Sequence, residues 1–133
     1  MEKQEHITYW LKSAKHDLKT ADTLFKQKNY DWCLFIAHLV LEKTIKALLV
    51  KNSKENQIPP KTHNLLKLSE LAKLDLSEDI KIDLLNFNDF NIEVRYPDYK
   101  LEFYKKCNKK FTEKKFKRIK EIYKCLLKQS QKN

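Results

Sequence analysis

A chain of 133 residues is long enough to bury a real core, and one domain over residues 1–133 is expected. It contains no glycine, which excludes glycine-rich phosphate loops, dinucleotide fingerprints and tight hairpins that need positive φ. The net charge of +10 sits at one end: residues 1–99 hold 15 basic and 15 acidic side chains, whereas residues 100–133 hold 13 basic and 3 acidic.

The first helix is predicted over His6 to Gln27, where Ile7, Trp10, Leu11, Ala14, Leu18, Ala21 and Phe25 recur at three- and four-residue steps. Asn29 suits its stop, and Asp31 is the expected N-cap of a second helix reaching Lys51. Cys33, Ile36, Ala37, Val40, Leu41, Ile45, Leu48 and Leu49 form that helix's core stripe, and Leu34, Phe35 and Leu39 spread apolarity around its first half. A helix apolar on several sides is central in a bundle or lies in a subunit interface. A polar connection runs from Ser53 to Lys61 and contains Pro59 and Pro60. Thr62 is the expected cap of a third helix carrying Leu65, Leu66, Leu68, Leu71 and Ala72, and His63 would lie just inside it. Ser77 is the expected cap of a fourth, with Glu78 and Asp79 favourably placed against its dipole. Residues 101–111 give no clear pattern, and Thr112 is the expected cap of a last helix with Phe116, Ile119, Tyr123, Leu126 and Leu127 on one side. The fold class is therefore all-α, a four- or five-helix antiparallel up-and-down bundle.

Between the fourth and last helices lies the run Glu93-Val94-Arg95-Tyr96-Pro97-Asp98-Tyr99. Only Arg95 and Arg118 are arginines among 28 basic residues, and no helix face demands Arg95. Pro97 cannot lie in a helix interior and biases Tyr96 toward extended geometry, so a helix break over residues 92–99 is predicted. That break would display a guanidinium fork suited to phosphate or carboxylate beside Tyr96, Asp98 and Tyr99; alternatively, Arg95 is a structural clamp on Asp98 or a helix C-terminus.

Other constellations carry less chemistry. Cys33, Cys107 and Cys125 form no CxxC pair and read as reduced cytosolic thiols. His6, His16, His38 and His63 show no zinc spacing, and the i,i+4 pair His38 and Glu42 is read as packing plus a hydrogen bond, so neither metal nor cofactor is expected. Glu42 and Lys46 have the favourable i,i+4 order of an ion pair. No signal peptide is visible, and the apolar run Trp32 to Leu41 is too short for a bilayer, so a soluble cytoplasmic chain is expected. A localised basic element hints at a polyanion, and Lys114, Lys117 and Arg118 are the candidate RNA-binding face.

Four segments occur in a telling order: Ala14-x-x-Asp17-Leu18-x-x-Ala21; Glu42-Lys43-Thr44-Ile45-Lys46-Ala47-Leu48-Leu49; Thr62-His63-Asn64-Leu65; and Val94-Arg95-Tyr96-Pro97-Asp98. Together they resemble the HEPN domain (higher eukaryotes and prokaryotes nucleotide-binding) over nearly the whole chain. The resemblance implies an all-α bundle, commonly a homodimer, and a prokaryotic role beside a small nucleotidyltransferase, often as toxin and antitoxin. It also implies that catalytic members are metal-independent RNases with an Arg-x(4–6)-His motif. This chain departs from that motif, because Lys100, Leu101 and Glu102 stand where the histidine belongs and no histidine follows His63. The expected function is thus binding of nucleotide, RNA or a nucleotidyltransferase partner without a catalytic set. Arg95, Tyr96, Asp98 and Tyr99 would form the site, with Lys43, Lys46 and His63 turned to the same cleft. Two alternatives stand beside it: a ribonuclease of altered chemistry using Arg95 and His63, and a purely structural dimeric module.

Overall fold

The computed structural model describes residues 2–55, 58–95 and 97–132, with the side chains of 92–100 outside the description. Six helices and no strand are described: α1 (Lys3–Lys26), α2 (Tyr30–Asn52), α3 (Leu65–Leu71), α4 (Glu78–Arg95), α5 (Pro97–Lys106) and α6 (Lys109–Ser130). The expected helical bundle is present, with six helices described where four or five were expected, because the unpatterned stretch after Pro97 is helical.

The reason α2 is central is its composition. Cys33, Leu34, Ala37, Val40, Leu41, Ile45 and Leu48 are buried along one broad face, and Glu42, Lys46, Ala47 and Val50 extend the burial around the other sides of its second half. Each fully buried leucine or isoleucine there contributes about 1.5–3 kcal/mol relative to exposure. Ala14 and Ala21, two turns apart on α1 and fully buried, let the α1 backbone approach α2 closely. The pair is antiparallel: Lys3 Nζ donates to the Ser53 carbonyl at 2.7 Å, Lys46 Nζ sits 5.3 Å from the Trp10 ring centre, and Phe25 meets Tyr30 at 5.5 Å. α6 closes the other side through Phe116, Ile119, Ile122, Tyr123 and Leu126. Its C-terminus is held by Lys51, whose ammonium donates to the carbonyls of Gln129 (3.2 Å), Ser130 (2.7 Å) and Lys132. A cation at a helix C-terminus satisfies orphan carbonyls and complements the dipole.

The caps differ from several sequence expectations. Ser77 does accept from the Ile80 N–H, at 3.3 Å. Asp31 is not an N-cap: Asn29 holds that position, and Asp31 is a buried first-turn residue. At α3 the cap is Asn64, which accepts from the Lys67 N–H at 3.1 Å. The Thr62 hydroxyl instead accepts from the Asn64 N–H, closing a local turn, so His63 precedes α3 rather than opening it. At α6 Asn108 accepts from the Phe111 N–H at 2.8 Å. Thr112 is fully buried inside the helix, and its hydroxyl has no partner among the described residues. At both α3 and α6 a nearby asparagine offers its carbonyl oxygen to the orphan donors, and the threonine is displaced.

The glycine-free chain turns two corners with lysine. Lys28 and Lys73 take φ of 66° and 57°, just after α1 and α3. The break expected over 92–99 is not found in its described residues: 92–95 end α4 and 97–99 open α5, with Pro97 at the first position of that helix. Tyr96 lies outside the described residues.

Candidate functional site

Glu42 is the centre of the most concentrated polar cluster. It lies on α2, is 4% exposed, and both of its oxygens are engaged. Oε1 accepts from His63 Nδ1 at 2.7 Å and lies 3.9 Å from Nδ1 of the fully buried His38. Oε2 accepts from Lys46 Nζ at 3.0 Å. The Lys46 ammonium also faces the Trp10 ring, and Trp10 meets the exposed Tyr9 edge-on at 5.3 Å.

The elements explain the convergence. Glu42 and Lys46 are one helical turn apart on α2, so their pairing is local. His63 is brought across by the chain before α3. That segment is pinned because Asn88 Oδ1 accepts from the Leu65 N–H at 2.8 Å while Asn88 Nδ2 donates to Asn64 Oδ1 at 3.1 Å. The α3 entry is thus clasped to α4, and His63 is carried onto Glu42. The consequence is chemical. A carboxylate acceptor at Nδ1 makes Nδ1 the proton-bearing nitrogen and leaves Nε2 to accept a proton or, when charged, to donate to an anion. The His63 side chain is 42% exposed, so that nitrogen is reachable.

Lys43, one position from Glu42, faces α1 instead. Its ammonium donates to Ser13 Oγ at 2.8 Å and lies 2.7 Å from Asp17 Oδ2. Lys43 and Lys46 therefore both point at α1 and both already hold a carboxylate. The side chains of Arg95, Asp98 and Tyr99, with all of Tyr96, lie outside the described residues. On α6, Lys114 and Lys117 are exposed, but the partly exposed Arg118 turns toward α4 and donates from Nε to Asp83 Oδ2 at 2.7 Å. That hydrogen bond, more than the nearby negative charge, raises the guanidinium pKa above its ordinary value. Burial pushes the Cys33 thiol up to about 12 and raises Tyr123 above the ordinary phenol. Among the described residues no group of three or more His, Cys, Asp or Glu is arranged to hold a metal ion. No helix among them is long and apolar enough to cross a membrane.

Sequence spacing identified the Glu42–Lys46 pair. The grip of Glu42 on His63, 21 residues away, was not visible in any spacing. Its only signal was a histidine placed after two prolines and a threonine.

The HEPN domain model matches residues 7–130, which spans α1 to α6. The chain belongs to the HEPN-domain family. No curated protein matches it. Among solved structures, the HEPN bundle described here is similar to the crystal structure of TT1696 from Thermus thermophilus, with a TM-score of 0.75 and 22% identity over 93% of this chain and 97% of that one. At that identity the likeness establishes a shared fold. Family membership places this chain in a nucleotide-binding and RNase-like group.

Proposed function

We propose that this HEPN protein binds the phosphate of a nucleotide or RNA at the Glu42–His63 cluster, without a complete RNase set, as one half of a two-component pair with a small nucleotidyltransferase. The observation that carries the reading is a buried carboxylate gripping a half-exposed imidazole at 2.7 Å. The carboxylate fixes the direction of the imidazole and leaves Nε2 facing outward, an orientation from which a phosphate contact gains. Arg95 is the second anion contact in this reading, with Tyr96 and Tyr99 for stacking and Asp98 orienting the guanidinium. The protein acts in the cytoplasm, in keeping with three free thiols, and as a homodimer. The dimer is supported by α2, where Trp32 is 40% exposed and Phe35 and Leu39 are partly exposed on the same stripe.

Calorimetric titration with mononucleotides tests the binding site. Saturable binding that His63→Ala and Arg95→Ala each abolish, with melting unchanged, supports it. Binding insensitive to both variants refutes it. A second reading has its own observation, since a carboxylate-held imidazole is also how a general base is oriented. Metal-independent cleavage of total RNA by clean protein, lost in both variants, would establish that enzyme reading.

A further inference from the structure

The outer face of α6 carries one row of charge. Positions 110, 114, 117, 121, 124 and 128 follow four- and three-residue steps and are all exposed: Lys110, Lys114, Lys117, Glu121, Lys124 and Lys128. The row is roughly 27 Å long at 1.5 Å per residue. None of its five lysines forms an ion pair among the described residues, while Arg118 and Lys120 on the helix flanks do. Arg118 is tied to Asp83, and Lys120 lies 3.7 Å from Asp22.

The row borders two adjoining hollows. One, of about 540 Å³, lies at the start of α6 against Lys109, Lys110, Lys114 and Lys117. The other, of about 420 Å³, lies between α6 and the end of α1 and is lined by Phe25, Phe116, Lys26, Lys117 and Lys120 together with the carboxylates of Asp22 and Glu113. Lys117 and Glu113 line both, so the hollows form one track. The positive end of the α6 dipole opens into the first.

We infer that this track holds the phosphate backbone of a single nucleic-acid strand, with Lys110, Lys114 and Lys117 as its main contacts and Arg118 excluded. The inference extends the proposed phosphate binding to a second, separate surface. A single line of evenly stepped cations matches one backbone rather than the two strands of a duplex. A lipid surface fits poorly, because the apolar side of α6, with Phe116, Ile119, Ile122 and Leu126, is spent in the core. The exposed face keeps no large apolar side chain to insert.

The test is fluorescence polarisation of a labelled 15-nucleotide oligouridylate between 50 and 300 mM salt. Replacing three phosphate contacts, Lys110→Gln, Lys114→Gln and Lys117→Gln together, should lower the salt slope by about 2 and the affinity at 0.1 M salt by about 100-fold. The matched control removes equal charge from the exposed outer face of α1, Lys12→Gln, Lys15→Gln and Lys19→Gln, and should change affinity by less than about threefold. Arg118→Ala should leave the slope unchanged. Equal losses in the two triple variants would reduce the effect to net charge and overturn the track. So would an unaffected slope, or tighter lysine-dependent binding to vesicles with 30% anionic lipid. Mononucleotide titration at His63 is independent of these lysines, so either result can fail alone.

Discussion

Replacing Glu42 by leucine removes the acceptor that neutralises Lys46, whose side chain is 8% exposed. The ammonium would then be left against Trp10 with no carboxylate. Removing one partner of a buried pair costs about 3–5 kcal/mol. The long Lys46 stem can carry its charge part-way to water, so the lower figure of about 3 kcal/mol applies. For a chain of this size that lowers Tm by roughly 12 °C. Lys46→Met leaves Glu42 with His63 as its partner and should cost about 1–2 kcal/mol. The double variant Glu42→Leu/Lys46→Met strands no charge and should also cost about 1–2 kcal/mol, because the exposed His63 recovers its hydrogen bond from water. The cycle therefore predicts a coupling of about 3 kcal/mol, read from urea unfolding followed by helical circular dichroism. A Glu42→Leu cost below about 1 kcal/mol, or additive single effects, would refute the cluster as a buried charge pair.

Arg118→Ala should cost only about 0.5–1 kcal/mol, because the pair with Asp83 is partly solvated, and chemical denaturation will show it. Lys51→Met should fray the end of α6: hydrogen exchange at 128–132 should accelerate by about tenfold while the α2 core stays protected. Cys33 should be the last thiol to react with iodoacetamide and Cys125, the one not fully buried, the first, as mass spectrometry of pulse-labelled native protein will reveal. The sign of the matching pH effect follows from a thiol raised from 9.0 to about 12 in the folded state. Between those values the unfolded chain has lost a proton that the folded chain keeps, so stability falls as pH rises through that window. Cys33→Ala should flatten that part of the profile.

Periodicity made the bundle legible because α1, α2, α4 and α6 bury faces at the 3.6-residue repeat. Helix starts were harder. Thr62 and Thr112 look as capable as Asn64 and Asn108 in sequence, and only the tertiary position of each backbone decides which oxygen meets the orphan amides. The candidate site was half legible for a similar reason. Glu42–Lys46 is a local pair that helical geometry dictates. His63 reaches Glu42 only because Asn88 on α4 fastens the start of α3, a contact across 23 residues. Arg118 shows the same limit in reverse: its charge was evident, but Asp83, 35 residues earlier, turns it away from the outer face.

The central position of α2 has a consequence for synthesis. Its most extensive packing is with α1, its neighbour in sequence, and that hairpin is available to fold once both helices leave the ribosome. The second-largest face is covered by α6, which emerges some 60 residues after α2 is complete. Until then α3 and α4 can cover part of α2, but the side that α6 closes stays open. A nascent chain stalled before α6 should therefore aggregate more readily than the full chain.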